Sequence, residues 1–564
     1  MNYWQRKNVS RRRLLAGAGT VGAGIISTAI VGCGSNDGAG KSPIASTTAA
    51  NTPPASTSAS ASSAATQEAP KQGGTFTSYN LNAGTDSLDI QQSANPGAQA
   101  YTQYTNDGLI MLNEPKPGDF KQSPQLAESW EQPDDQTIVL HIRKGVKYAN
   151  VAPANGREMT AADVVFSLKR MATNDPKYPR RTWFTQVESI EASDPNTVRI
   201  TTKRPYAALM HLLGSPWVVV ISPEEVSQDG AVLKNLVGTG PYIAKKIDIG
   251  TEFLFERNPD YWDTGKPYID TVHFLNIQTV ASQLAAFRSG QTQYADPGSD
   301  LLAKFRSDNP TAREWIGPRV GIGVVAMNDA KAPFKDIRVR QAIANAVDLP
   351  GWMDVLVKGD GIQTGPMYAG YAAWALPQEK LLYSKPDIKK AKDLMHAAGL
   401  DSGFKTTVIT LAAATYQGQA VQMKADLAQL NIDIDIQVIS PADLTTRAFV
   451  QKDFEMYAGQ DFSADDPDQL GDRFISTSAQ NYNGYANTQV DQWFDEESQI
   501  MDQTQRRAKV DQIQEQLMQD VPTLFTFISN GHYFYAGNLR GYRRSPLNAN
   551  AERMEARGMY SVSQ

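Results

Sequence analysis

Between Thr137 and Ile142 the chain alternates: Ile138, Leu140 and Ile142 share one side, Val139 and His141 the other, which predicts a half-buried strand. The same period of two returns at Ile432, Ile434, Ile436 and Val438, and Pro522 to Ile528 is a continuous apolar run suited to a strand buried on both faces. Helical spacing takes over at Val164, Val165, Leu168 and Met171, where Thr160 is placed to cap and Asp163 stands three residues on. Ile388, Ala391, Met395 and Ala398 form a second stripe, closed by Gly399. A helix from Val421 to Leu430 precedes the strand that begins at Ile432, and Val510, Ile513 and Leu517 mark a late helix. Helices that alternate with strands in this way predict an α/β fold.

The stretch from Gly238 to Phe274 organises the rest. It reads as turn, strand, turn, strand, aromatic loop, strand. Gly238 and Gly240 are expected to supply backbone angles closed to other residues before Pro241 fixes an extended entry into Tyr242 and Ile243. Phe253, Leu254 and Phe255 end at Asn258-Pro259, the pair Tyr261-Trp262 follows, and alternation resumes at Ile269, Val272 and Phe274. Taken physically, this is a strand hairpin with a small aromatic core and carries no catalytic device.

Other stretches have the same ordered character: Leu126-Ala127-Glu128-Ser129-Trp130, then His141, Arg143, Gly145, Val146 and Tyr148; Thr160, Ala161, Asp163, Val164, Phe166 and Ser167; and Pro333-Phe334, Asp336 and Arg338-Val339-Arg340-Gln341-Ala342. Together with Gly238-Thr239-Gly240-Pro241-Tyr242 and Asn258-Pro259-Asp260-Tyr261-Trp262, this order resembles the extracellular solute-binding protein family 5, the peptide, nickel and oligosaccharide receptors of bacterial ABC importers. The resemblance runs from Gly73 to about Arg543. It implies a periplasmic-binding-protein-like α/β fold with two lobes, a hinge, mixed sheets and an additional inserted domain. It also implies domain I from 73–108, 239–327 and 521–564, domain II from 109–238 and domain III from 328–520. Ligand would lie between lobes that close on it by a hinge motion.

Composition agrees with a large exported binder. The 564 residues carry a net charge of −6 and no long basic run in the body, which argues against nucleic acid as a partner. The single cysteine, Cys33, excludes an internal disulfide and a thiolate metal cluster. Arg11, Arg12 and Arg13 precede an apolar segment that ends Ile30-Val31-Gly32-Cys33, a twin-arginine-like signal over 1–33 with a lipobox. An uncleaved membrane helix from Leu14 to Val31 is the alternative, weakened by its glycines. Residues 34–72 are Ser, Thr, Ala, Pro and Gly with almost no large apolar side chain, a disordered tether spanning on the order of 30–40 Å. The expected product is a monomer, lipid-anchored at the outer face of the cytoplasmic membrane, in the periplasm or at the cell surface.

Candidate chemistry is sparse. His141, His211, His273, His396 and His532 are scattered without zinc spacing, there is no G-x-S-x-G or phosphate-binding loop, and no cofactor or metal is expected. The segment Gly459 to Asp468 resembles the family's cleft segment, whose aspartate meets the ligand's ammonium in peptide-binding members. By that likeness Asp465 is the ligand carboxylate, Phe462 stands for the usual tryptophan, and Asp461 is an added acid. The bland alternative is a solvated turn with a helix cap around Asp468. Tyr79, Trp217, Tyr368, Tyr371 and Trp374 are candidate cleft walls from their loop or strand-end settings, against a reading of each as core. The implied role is the receptor of an ABC importer that passes a small solute, peptide first and oligosaccharide next, to a membrane permease without turnover. A ligand sensor of the same fold is the alternative, and a surface hydrolase has no motif behind it.

Overall fold

A computed structural model of the chain describes residues 70–79, 87–93, 96–116, 119–226, 236–319, 321–461, 464, 466–541 and 558–561. The expected export signal with Cys33, most of the expected tether, Phe462 and Asp465 lie outside the described residues. Among the described residues, no helix is long and apolar enough to cross a membrane.

The first strand of the body, Thr75–Tyr79, pairs in parallel with Thr271–Leu275, which is followed across the sheet by Glu252–Arg257 and Tyr242–Asp248. Alternation along these strands turns Phe76, Phe253, Phe255, Val272 and Phe274 into one core. The helix Pro96–Thr105 lies on that core, with Tyr101 stacked on Phe253 at 3.7 Å between centroids and Tyr104 on Phe255 at 5.3 Å.

The glycines of the Gly238–Tyr242 turn are explained by proximity and not by backbone angle. Neither Gly238 nor Gly240 lies in the left-handed region. A Cβ on Gly238 would instead sit 2.2 Å from the Thr105 carbonyl oxygen, and one on Gly240 2.5 Å from the Thr105 carbonyl carbon. The chain here runs against the end of the helix, and Gly240 N–H donates to Thr105 O at 2.8 Å. The aromatic loop completes the joint: Asn258 Nδ2 donates to Gly240 O at 3.0 Å, and Trp262 Nε1 donates to Asp107 Oδ2 at 2.7 Å.

The excursion between those strands holds its own antiparallel sheet, Ala127–Asp134, Thr137–Ile142, Thr197–Thr202 and Val187–Asp194, with the helix Ala161–Met171. Ile138, Leu140 and Ile142 are buried as the alternation predicts, and they meet Val164, Leu168 and Met171 in one cluster. At the helix start the Asp163 carboxylate accepts from Thr160 N–H at 2.8 Å.

A mixed five-stranded sheet, in the order Asp433–Ile439, Lys405–Leu411, Met456–Asp461, Ile322–Met327, Thr523–Phe525, forms the other lobe. Its strand Ile322–Met327 is buried throughout because both faces are covered. Val325 and Met327 pack with the helices Ile337–Ala346, Ile388–Ala397 and Ala414–Leu427, whereas Ile322, Val324 and Ala326 pack with Pro467–Phe474, Thr488–Glu497 and Gln503–Asp520. The helix expected from Val421 starts seven residues earlier, at Ala414, because small and polar residues cover its first turns and hide the apolar stripe. Gly399 does end its helix, at φ +73.

Two strands join the lobes. Arg313–Pro318 and Phe527–Tyr535 pair with each other in a small sheet beside Tyr294–Ala295 and Gly361–Gln363. The first runs on into Ile322–Met327, and the second is entered from Thr523–Phe525. The strand Phe527–Tyr535 therefore contributes Phe527 to the core of one lobe and Tyr533 and Tyr535 to the core of the other.

Candidate functional site

A cavity of about 500 Å³ opens where the excursion faces the five-stranded lobe. Leu112, Gln122, Trp130 and His211 line it from the excursion. Tyr371, Trp374, Asp466 and Arg506 line it from the lobe opposite. Its size and mixture of aromatic walls with a few polar groups suit a small ligand. Around it the two sides touch directly: Tyr206 Oη donates to Asp468 Oδ2 at 2.8 Å, Ala207 N–H donates to Ser498 O at 2.8 Å, and Arg204 pairs with Asp495 at 2.5 Å.

The polar floor is built on Arg506, which reaches the cavity from the late helix, in register with Val510, Ile513 and Leu517. Its Nη2 and Nη1 donate to Asp466 Oδ1 and Oδ2 at 2.6 and 3.1 Å, and its Nε donates to Glu497 Oε2 at 2.7 Å. The guanidinium also lies 5.0 Å from the Trp374 ring centroid. Burial by itself would raise the Asp466 carboxyl, but Arg506 outweighs it and holds Asp466 below its ordinary range. Glu497 has no such surplus of cation, and burial pushes it up to about 8. Asp468, part exposed at the rim, is pushed up to about 6 by its enclosure and by Asp466 beside it.

Among the described residues of the acidic segment, Asp466 is buried and not solvated, and a helix cap does stand in the neighbourhood of Asp468. The cap of Pro467–Phe474 is Asp466, 2 % exposed, whose Oδ1 accepts from Asp468 N–H at 3.0 Å. Asp461 is committed within its own lobe, accepting from Arg473 Nε at 3.1 Å and from Tyr482 Oη at 2.9 Å.

Of the aromatic candidates, Tyr371 and Trp374 come together on the cavity wall, and the other three lie elsewhere. Tyr79 packs on Tyr294 at 5.3 Å and its oxygen accepts from Asp296 N–H at 3.0 Å. Tyr368 donates to the carbonyls of Pro318 and Arg319, at the junction of the lobes. Trp217 carries the Arg180 guanidinium 3.2 Å from its ring centroid, a cation that burial pushes down to about 9.

A second cavity of about 170 Å³ sits at the junction, lined by Arg319, Tyr416, Gln419 and Gln460 among others. Arg319 is held by Asp296 in two bonds of 2.8 Å. Sequence reasoning did not reach Leu112, Trp130, His211 or Arg506. For Arg506 there was a signal: a cation in helical register with an apolar stripe must find a buried partner.

Two lobes joined by two strands, with a polar and aromatic cavity between them, are the architecture of a periplasmic-type binding protein. Residues 121–483 match the family described as "Bacterial extracellular solute-binding proteins, family 5 Middle", and the chain belongs to that family. It is similar to the glutathione-binding protein GsiB of Shigella dysenteriae serotype 1, 24% identical over 486 residues that cover 83% of this chain and 90% of that protein. Among solved structures it is similar to the oligopeptide-binding protein AppA of Bacillus subtilis in complex with a nonapeptide, with a TM-score of 0.75, 21% identity, and 88% and 100% of the two chains covered. The periplasmic binding protein DppA of Helicobacter pylori in complex with the peptide STSA gives a TM-score of 0.72 at 23% identity over 87% and 99% of the chains.

Proposed function

We propose that this chain is the solute-capturing receptor of an ABC importer and that it holds a short peptide between the excursion and the five-stranded lobe. The observation that carries this reading is the interlobe cavity itself, enclosed by Trp130 and His211 on one side and Tyr371, Trp374 and the Asp466–Arg506 pair on the other. The aromatic faces accept apolar side chains, and the balanced ion pair offers both an acceptor and donors to the polar ends and amides of a peptide. The glutathione-binding relatives and the peptide-bound structural neighbours support the peptide class over a sugar.

In this reading 73–108, 239–327 and 521–564 form domain I, 109–238 domain II and 328–520 domain III. Asp465 stays the candidate partner of a ligand ammonium, beside Phe462, with Tyr371 and Trp374 as walls. Export ends with a lipid on Cys33, so that the tether holds the binding body at the outer face of the membrane and the closed, loaded form meets the permease. The function is capture and release without turnover.

Native mass spectrometry of the purified chain tests the proposal. A bound mass that resolves into a series of short peptides is the expected result. A discrete sugar mass would replace the ligand class, and turnover of added peptides into fragments would overturn the receptor reading. For the anchor, Cys33→Ser should move the chain from the membrane fraction into the soluble one. Unchanged membrane retention would refute the lipid site.

A further inference from the structure

The strand Phe527–Tyr535 carries a histidine at the crossing between the lobes. His532 is 8 % exposed, and both of its ring nitrogens face carboxylates. Nδ1 lies 2.6 Å from Glu314 Oε1, and Nε2 is in hydrogen-bond contact with Asp360 Oδ2. Glu314 belongs to the strand Arg313–Pro318, whose Trp315 packs against the core of Tyr294, Tyr533 and Tyr535. Asp360 follows helix Leu349–Val357, whose Trp352 and Val357 are part of the core of the five-stranded lobe. One imidazole thus bridges carboxylates held by two different cores.

An ionised carboxylate only accepts hydrogen bonds, so satisfying both requires both ring nitrogens to donate, which is the imidazolium form. The charges close on that assignment. Arg306 donates to Glu314 through Nε and Nη2 at 2.9 and 2.6 Å and lies 3.4 Å from His532 Nδ1, so two carboxylates face two cations when the ring is charged. Asn530 Nδ2 donates to Asp360 Oδ1 at 2.7 Å, and Lys358 pairs with Asp300 at 3.3 Å across the same seam. Both acids are held ionised: burial alone would raise Glu314 and Asp360, but hydrogen bonds from Arg306 and His532 bring the first below its ordinary value, and those from Asn530 and His532 do so for the second. A neutral ring would turn its Nδ1 lone pair toward Glu314, where Arg306 Nη2 can donate to it, keep Nε2–H on Asp360 without a charge behind the bond, and leave the part-buried group with one net negative charge.

We propose that His532 is a protonation-controlled clamp that ties the two lobes together at their crossing while the ring is charged and holds Asp360 more weakly, as a neutral donor, when it is not. Its sign is fixed by the donor count. Engaging the clamp retains a proton, so acid strengthens the tie and rising pH weakens it as the ring gives that proton up. As a regulator of ligand capture the clamp rests on the receptor reading; as a feature of the fold it does not. A receptor so built holds its lobes together more firmly in acid surroundings than in alkaline ones.

Hydrogen exchange of the ligand-free full chain between pH 6 and 8.5, corrected for intrinsic chemistry, tests the proposal without any ligand. The amide of Asn530 donates to Asp360 O at 3.1 Å and reports on the arm directly. Losing the positive charge behind the Asp360 bond should reduce its protection by about tenfold across that range. His532→Gln, which can donate from one end only, should show low protection at both pH values. Asp360→Asn, which removes the need for the second donor, should flatten the profile while leaving the ring in place. Protection that is pH-independent in the wild type, or equal profiles in the wild type and both variants, would overturn the clamp. Loss of the expected peptide in mass spectrometry together with the predicted exchange profile would remove the receptor reading and leave the clamp standing.

Discussion

Arg506→Met strands a carboxylate, and the structure gives the size of the effect. Asp466 is 2 % exposed and receives two of the three charge-assisted bonds that Arg506 makes. Burial raises Glu497 while Arg506 holds Asp466 below its ordinary range, so the charge that Arg506 chiefly balances is that of Asp466. Without the cation Asp466 must take up a proton to stay buried. From its ordinary value of 3.8 this costs about 4 kcal/mol at pH 7 and about 1.5 kcal/mol at pH 5, at roughly 1.4 kcal/mol per pH unit. The first figure agrees with the cost of about 3–5 kcal/mol for breaking a buried pair. The sign follows from the two forms: in the wild type the depressed Asp466 stabilises the fold above its ordinary value and that stabilisation is lost in acid, whereas in the variant a raised Asp466 makes the deficit grow with pH. Hydrogen exchange in the helix Pro467–Phe474 measures the local opening, expected to become easier by roughly three orders of magnitude at pH 7 and about one at pH 5. Asp466→Asn in the Arg506→Met background should recover most of the loss at pH 7. A deficit that is the same at pH 5 and pH 7 would refute the stranded charge and leave lost packing as its cause.

Trp374→Ala removes a flat wall of the cavity and a face of Arg506, and ligand affinity measured by calorimetry should fall by roughly 30-fold or more, as for a buried aromatic anchor; an unchanged affinity would place the ligand elsewhere. Glu497→Gln keeps an acceptor for Arg506 but removes a titrating group raised to about 8, whose stabilising contribution is whole below its ordinary value of 4.5 and declines as pH climbs toward 8. The variant should therefore melt at the wild-type temperature near pH 4.5 and higher than wild type at pH 8, and the reverse order would contradict the assignment. Gly238→Ala sets a methyl group 2.2 Å from a backbone carbonyl oxygen that cannot move aside, so a loss of about 1–3 kcal/mol is expected in denaturant unfolding of the body. A variant as stable as wild type would show that the helix end yields.

The strands and helices with a clean period were legible because burial on one face leaves its mark on every second or every third and fourth residue. Ile138, Leu140 and Ile142 are such a case, and so is the Thr160–Asp163 start. The glycines at 238 and 240 were legible as glycines but not for their reason, since close approach to Thr105 is a contact between distant segments and has no local signature. The site was legible in part. Tyr371 and Trp374 could be chosen as exposed-looking aromatics in a loop, but so could Tyr79 and Trp217, which the fold buries against Tyr294 and Arg180. What separates the two pairs is which segment arrives opposite them. Tyr206 meets Asp468 across 262 residues of chain, and Leu112 and Trp130 read as ordinary strand positions until that meeting places them at a cavity. Asp466 was legible only as a further acid in the segment; its burial answers the cation at position 506, forty residues on, and has no local signature.

Where the ligand sits decides whether the interlobe cavity is the binding site. Crystallography of the chain purified with the ligand that it carries tests this most directly. A short peptide is expected in the 500 Å³ cavity, in contact with Tyr371 and Trp374 and within hydrogen-bond reach of the Asp466–Arg506 pair or of Gln122. A ligand bound at any other place, with this cavity filled only by solvent, would contradict it.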